Sequence, residues 1–230
     1  DNDKKEVTLV KFEKYHFGSP KLTKIILKQF SEAEATKGAK AGSVHDLANW
    51  PLTRENDVFH FGQYVSGPVA ATWIVGINTT KSPFESKKVR AGFRSALDVE
   101  AFRKKFYPDA LRAFGYVPPG LPGYLATSSE PQGKPSNSLS FKKIKLAIPI
   151  ELAQHKEMKT FLENAWKKNG WNVEVIAMPW DELMSGYANK SHQAFLVSMN
   201  IDYPDTEFLL RNFESTNPDN FSGLKNTELD

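Results

Sequence analysis

Two carboxylates near the end of the chain, Asp202 and Asp205, flank Pro204 at a spacing of three residues. They follow a mainly apolar run, 193–199, that ends in Ser198 and Met199, with Asn200 at its exit. One reading is a strand-end aspartate followed by a helix N-terminus, where negative charge is stabilised by the helix dipole. The other is a binding site. Trp180 poses a similar choice. Coming after Pro179 at the end of a β-rich run, it either packs or lines a cleft, since the C-terminal ends of strands in open α/β sheets face ligands. The five histidines, His16, His45, His60, His155 and His192, stand apart from one another. None has a second histidine or a carboxylate at metal-ligand spacing on a helix, and they read as surface or packing residues. HExxH, GxSxG, GxGxxG and GxxxxGK[ST] are all absent. With no nucleophile–base set and no metal motif, the sequence points away from an enzyme and requires no cofactor.

The elements that must position these residues follow from periodicity. Residues 6–12 and 22–30 alternate or are β-rich and predict strands, with Gly18-Ser19-Pro20 breaking the chain between them. Ser31 predicts the N-cap of a helix through Ala41, with Glu32 and Glu34 in its first turn and Gly42 as its stop. Strands are expected at 58–65 and 69–77. Ser86 and Asp98 are expected to cap two helices, the first through Leu97 with Val89, Phe93, Ala96 and Leu97 on one face, the second to about Tyr107. Residues 115–138, rich in Pro, Gly and Ser, predict a long loop ordered by Tyr116, Leu121, Tyr124 and Leu125. The second half is clearer. A strand at 143–149, a helix at about 153–169 with Met158, Phe161, Leu162, Ala165 and Trp166 in one stripe, and a strand at 172–178 form a βαβ unit, whose strands should be parallel. A short helix near 180–187, a strand at 193–199 and a helix at 204–213 complete an α/β fold with a mainly parallel sheet and helices on both faces.

Composition narrows the class. The 230 residues are 40% apolar and 25% charged, with 12% aromatic, enough for a core without staples. The net charge of +3 is spread over separate lysine pairs rather than gathered on one face, which argues against nucleic acid as a partner. The chain has no cysteine, which excludes disulfides, zinc–thiolate sites and cysteine nucleophiles. No apolar run reaches the length of a membrane span. The opening Asp1-Asn2-Asp3-Lys4-Lys5 carries no signal-peptide pattern and looks like a cut within a longer protein.

The order of several weak motifs carries more than any one of them. NTTKSPFESKKVRAGFRSALD (78–98), GYVPPGLPGY (115–124) and DYPDTEFLLRNF…NTELD (202–230) resemble, in the same order, segments of the peptide-binding extracytoplasmic solute-binding proteins of ABC importers, family 5. LVKFEKY (9–15) and AGSVHDL (41–47) fit weaker upstream elements. The resemblance implies a type II periplasmic-binding-protein-like fold, with two lobes closing over a ligand in a protein about twice this length. Residues 1–77 would then belong to the first lobe and 78–230 to the second, with a C-terminal return segment missing and an apolar patch exposed where it would pack.

The resemblance also implies a function: capture of a peptide in an interlobe cleft, in the periplasm or at the outer membrane-associated surface of a bacterium, for delivery to ABC-transporter membrane subunits. Asp202 falls where peptide-binding members hold the ligand's α-ammonium. Ser198 and Asn200 could pair main chain with an extended peptide, and Trp180 would pack on a ligand side chain. Leu196, Val197 and Met199 depart from the aromatic or basic residues often found just before this aspartate, which puts the pocket lining in question. A ligand-sensing domain of a transcription regulator with the same fold, or a binder of a nickel complex, haem or sugar, stays open beside the peptide reading.

Overall fold

A computed structural model describes residues 5–47, 69–127, 143–153 and 156–230. The chain forms two compact units, 1–66 and 67–230.

In the first unit, β1 (Glu6–Val10) pairs antiparallel with β2 (Lys24–Lys28). Both strands are shorter than the expected 6–12 and 22–30. The register sets Val7 opposite Leu27 and Leu9 opposite Ile25, so alternation gathers four apolar side chains on one face. All four are exposed. A two-stranded ribbon has no second layer against which to bury such a face. Helix α1 (Glu32–Lys40) begins in a capping box. The Ser31 hydroxyl accepts the Glu34 N–H at 3.3 Å, and the Glu34 carboxylate accepts the Ser31 N–H at 2.9 Å. The Ser31 hydroxyl, donating to the Glu34 carboxylate at 2.7 Å, and the Ser31 N–H hold that carboxyl below its ordinary pKa. Gly42, at φ +69°, takes the left-handed conformation that ends the helix. The strand expected at 58–65 lies outside the described residues.

The second unit is built on a four-stranded sheet in the order β3-β6-β4-β5, with strands β3 (Ala71–Ile77), β4 (Ile144–Pro149), β5 (Val173–Met178) and β6 (Ala194–Asn200). Strands β6, β4 and β5 run parallel, and β3 is an antiparallel edge. Sequence places β3 with the first part of the chain, before a boundary at 77/78. In the structure β3 pairs with β6 along its whole length, from Ala71↔Asn200 to Ile77↔Ala194. Gly76 lies opposite Phe195 in this ladder. A Cβ there would sit 2.3 Å from the Phe195 ring, so only glycine lets the ring lie across β3.

Helices cover both faces of the sheet. On one side lie α2 (Lys87–Ala96) and α5 (Lys156–Lys167), joined by their aromatic residues. Trp166 stacks on Phe93 with ring centroids 4.7 Å apart and donates its indole N–H to the Phe93 carbonyl at 3.0 Å. Phe84 and Trp171 meet Phe93 edge-on. Met158, Leu162 and Trp166 of the predicted stripe are fully buried. On the other side, α6 (Trp180–Ala188) packs Leu183 into a cluster with Ala147, Met178, Phe195, Val197 and Phe221. Strand β4, central and buried on both faces except at Lys145, reads accordingly as a near-continuous apolar run.

Several boundaries differ from expectation. Ser86 occupies the N-cap of α2 without a side-chain cap bond. Arg90 instead reaches back to the Phe84 and Glu85 carbonyls at 2.8 and 2.9 Å. Asp98 does cap α3 (Val99–Phe106), accepting the Ala101 N–H at 2.9 Å. The helix expected from 153 begins at once after β4, as α4 (Ile150–Ala153) and then α5. The last helix begins later than 204, as α7 (Glu207–Leu210) followed by a 3-10 turn, Arg211–Phe213. It starts there because the Asp205 carboxylate takes the Glu207 N–H at 2.9 Å. In the loop from 115, described to 127, Val117 is buried and Tyr116, Leu121 and Tyr124 are half-buried. Leu125, expected to help order the loop, is exposed, with its side chain lying over Gly115.

Candidate functional site

The parallel strands β4, β5 and β6 deliver their C-terminal ends to one edge of the sheet, where open α/β folds place ligands. β6 is the strand that matters most. Asn78 N–H donates to the Gln193 carbonyl and Ile201 N–H to the Ala70 carbonyl, both at 3.0 Å, at the two ends of the antiparallel ladder. In such a ladder alternate residues exchange both hydrogen bonds with the partner. Residues 195, 197 and 199 therefore bond to β3, while Ala194, Leu196, Ser198 and Asn200 turn their N–H and C=O toward the β4 side. There β4 pairs only at Leu146↔Ala194 and Ala147↔Phe195, and it becomes helical at Ile150. Beyond that point no strand of the described residues pairs with this side of β6. The main-chain groups of Ser198 and Asn200 face the side on which β4 stops short, and no strand of the described residues pairs with them there.

Side chains along this stretch divide by the same alternation. Phe195 and Val197 enter the core cluster, and Met199 packs against it. Leu196 is buried as well. The apolar residues that put the pocket lining in question are sheet core, with Met199 at its margin. Ser198 and Asn200 share the opposite face with Leu196, and the Ser198 hydroxyl donates to the Asn200 side-chain oxygen at 3.1 Å.

Asp202 lies two residues past β6. Asp202 is exposed. It sits beyond the last β6–β3 bond, in the turn before α7, where neither sheet face covers it. Asp205, the other carboxylate of the pair, is the helix cap. Asp205 thus serves the start of α7, while Asp202 is exposed in the turn. Trp180 is the first residue of α6 and 53% exposed, so it is no core residue. In the strand order it stands two positions from β6, roughly 10 Å away. Sequence reasoning missed two residues of this edge. Ile150, at the end of β4, and Tyr203, next to Asp202, are 41% and 47% exposed. Ile150 falls between the expected strand, 143–149, and the helix expected from about 153, and the structure starts α4 there.

Other groups serve structure. His16 and His45 are exposed, and His192 packs over Gly186 with a ring nitrogen 3.1 Å from the Leu183 carbonyl. His60 and His155 lie outside the described residues. Arg103, bonded to Glu100 at 2.8 Å, holds that carboxyl at about 2. Burial pushes the Tyr107 and Tyr116 hydroxyls up to about 12. Among the described residues no group of three or more His, Asp or Glu side chains is placed to hold a metal ion. Among them, too, no helix is long and apolar enough to cross a membrane.

This arrangement, a mixed sheet with helices on both faces and strand ends gathered at one edge, is that of the type II periplasmic-binding proteins. An ABC transporter substrate-binding protein of Listeria monocytogenes superposes with a TM-score of 0.78 at 16% identity, covering 98% of this chain and 49% of its own. A periplasmic oligopeptide-binding protein of Borrelia burgdorferi gives 0.78 at 20%, covering 98% and 48%. The Helicobacter pylori periplasmic binding protein DppA, solved with the peptide STSA, gives 0.79 at 17%, covering 98% and 47%. The chain spans about half the length of these solved relatives. No curated protein sequence matches it significantly. Residues 1–221 match the family model of the bacterial extracellular solute-binding proteins, family 5, middle region, and the chain belongs to that family.

Proposed function

We propose that the full-length protein is the solute-capturing component of an ABC importer and that its solute is a peptide. The peptide lies as an added strand along the open side of β6, bonded to the main chain of Ser198 and Asn200, with its α-ammonium at Asp202. The observation that carries this reading is the β4 side of β6: among the described residues no strand pairs with Ser198 and Asn200 there, and an exposed carboxylate follows two positions on. Main-chain pairing grips any sequence, and a single charge pair fixes one end. Trp180 and Ile150, exposed at the same sheet edge, would meet side chains. Solved relatives with bound peptides, the STSA complex of DppA and the nonapeptide complex of Bacillus subtilis AppA, support the same solute class.

In this reading the protein binds and releases its solute without changing a covalent bond. It works in the periplasm or on the outer face of the membrane, and hands its solute to the importer's membrane subunits. Residues 1–77 would contribute to one lobe of the whole protein and 78–230 to the other, with β3 as a strand passing between them. Native mass spectrometry of the full-length protein, as purified, tests the solute class. A ladder of added masses matching short peptides is the expected result. A single added mass corresponding to a haem, a sugar or a nickel complex would overturn the peptide reading.

A further inference from the structure

The turn that carries Asp202 is tied at both ends. At its entry, Ile201 N–H donates to the Ala70 carbonyl at 3.0 Å. At its exit, the Thr206 hydroxyl donates to the Pro122 carbonyl, a residue 84 positions earlier in the chain. Between the ties lie the exposed residues Asp202, Tyr203, Pro204 and Asp205. Thr206 occupies the N-cap position of α7 but makes no cap bond, since Asp205 caps the helix and the Thr206 hydroxyl points across to the loop.

The Pro122 carbonyl is available because of the turn that presents it. Leu121–Tyr124 is closed by Tyr124 N–H to the Leu121 carbonyl at 3.2 Å, with Pro122 second and Gly123 third at φ +84°. Proline followed by a glycine at positive φ is the type II arrangement. Its central peptide is flipped relative to type I, which turns the Pro122 carbonyl outward. The position a Cβ would take at Gly123 is 3.9 Å from Thr206 Cγ2, so the glycine is required by its backbone conformation and not by crowding. Pro122, Gly123 and Thr206 thus form one device: a turn that aims a carbonyl, and a hydroxyl that takes it.

We infer that Thr206 is a positioning residue for amine recognition. Its bond to Pro122 fixes the exit of the 201–206 turn and thereby the place of the Asp202 carboxylate relative to the open side of β6. The inference rests on the proposed role of Asp202 and extends it to residues that do not touch the peptide.

The test titrates the full-length protein with a tight-binding peptide and with the same peptide N-acetylated. Thr206→Val keeps the shape of the side chain and removes the donor. It is expected to weaken the free-amine peptide by about tenfold, the net worth of one hydrogen bond, and to leave the acetylated peptide unchanged. Thr206→Ser should restore the wild-type value. Gly123→Ala, which disfavours the type II turn, should reproduce the Thr206→Val pattern by a route that leaves the hydroxyl in place. Unfolding midpoints confirm that each variant is folded. An equal loss on both peptides, or no loss on either, overturns the inference. If acetylation fails to weaken the wild type, the role of Asp202 itself falls, and the outcome is distinguishable from failure of Thr206 alone.

Discussion

Trp166→Ala should destabilise the second unit by about 3–5 kcal/mol, the range for truncating a fully buried large aromatic. Trp166 is 1% exposed and joins α5 to α2 in two ways. Its ring stacks on Phe93 at an interplanar angle of 12°, and its N–H satisfies the Phe93 carbonyl. Alanine leaves both a cavity and a carbonyl without its donor. Trp166→Phe separates the terms: it keeps most of the packing and should cost about 1–3 kcal/mol, chiefly for the lost hydrogen bond. Denaturant unfolding followed by the remaining tryptophans reads both. A loss below about 1 kcal/mol for Trp166→Ala would mean that the aromatic cluster is not what holds the helices on this face of the sheet.

The second large effect concerns binding. Asp202→Ala in the full-length protein is expected to reduce affinity for a free-amine peptide by roughly 30-fold to several-thousand-fold. That corresponds to about 2–5 kcal/mol for truncating one partner of a desolvated charge pair. The exposure of Asp202 in the unbound chain sets the contrast. An ion pair that stayed exposed would contribute only about 0–1 kcal/mol. The large value therefore requires that the bound peptide, together with the rest of the full-length protein, shut water away from the pair. N-acetylating the peptide removes the same charge from the other side and should cost a similar factor. Combining the two changes should add little further, because both delete one interaction. Calorimetric titration of the four combinations checks this. A loss of less than about fivefold in both single cases would make Asp202 a solvated turn residue.

What sequence revealed, and what it hid, follows the range of the interactions. The Ser31 cap, the Asp98 cap and the stripe through Met158, Leu162 and Trp166 are set by residues within a few positions of one another, and all appear in the structure. The parallel pairing of β4 with β5 was equally visible, because a short helical crossover leaves little alternative. The antiparallel pairing of β3 with β6 was not, since it joins residues more than 100 positions apart. For the proposed site, the family resemblance pointed to Ser198, Asn200, Asp202 and Trp180. The feature that gives the first two meaning, a neighbouring strand ending early at Pro149, was hidden. So was the exposure of Asp202, which depends on what covers a turn and not on the residues within it. The tie between Thr206 and Pro122 was beyond reach, since neither residue has a local pattern that names its partner.

The central claim is that a peptide takes the strand position beside β6. Residue-resolved hydrogen exchange of the full-length protein, with and without a bound peptide, tests it most directly. Val197 and Met199 N–H groups bond to β3 in either state and should exchange slowly in both. Ser198 and Asn200 N–H groups face the side on which β4 stops short and should exchange fast in the unbound protein and become strongly protected in the complex. Peptide binding that leaves the exchange of Ser198 and Asn200 unchanged would contradict the account.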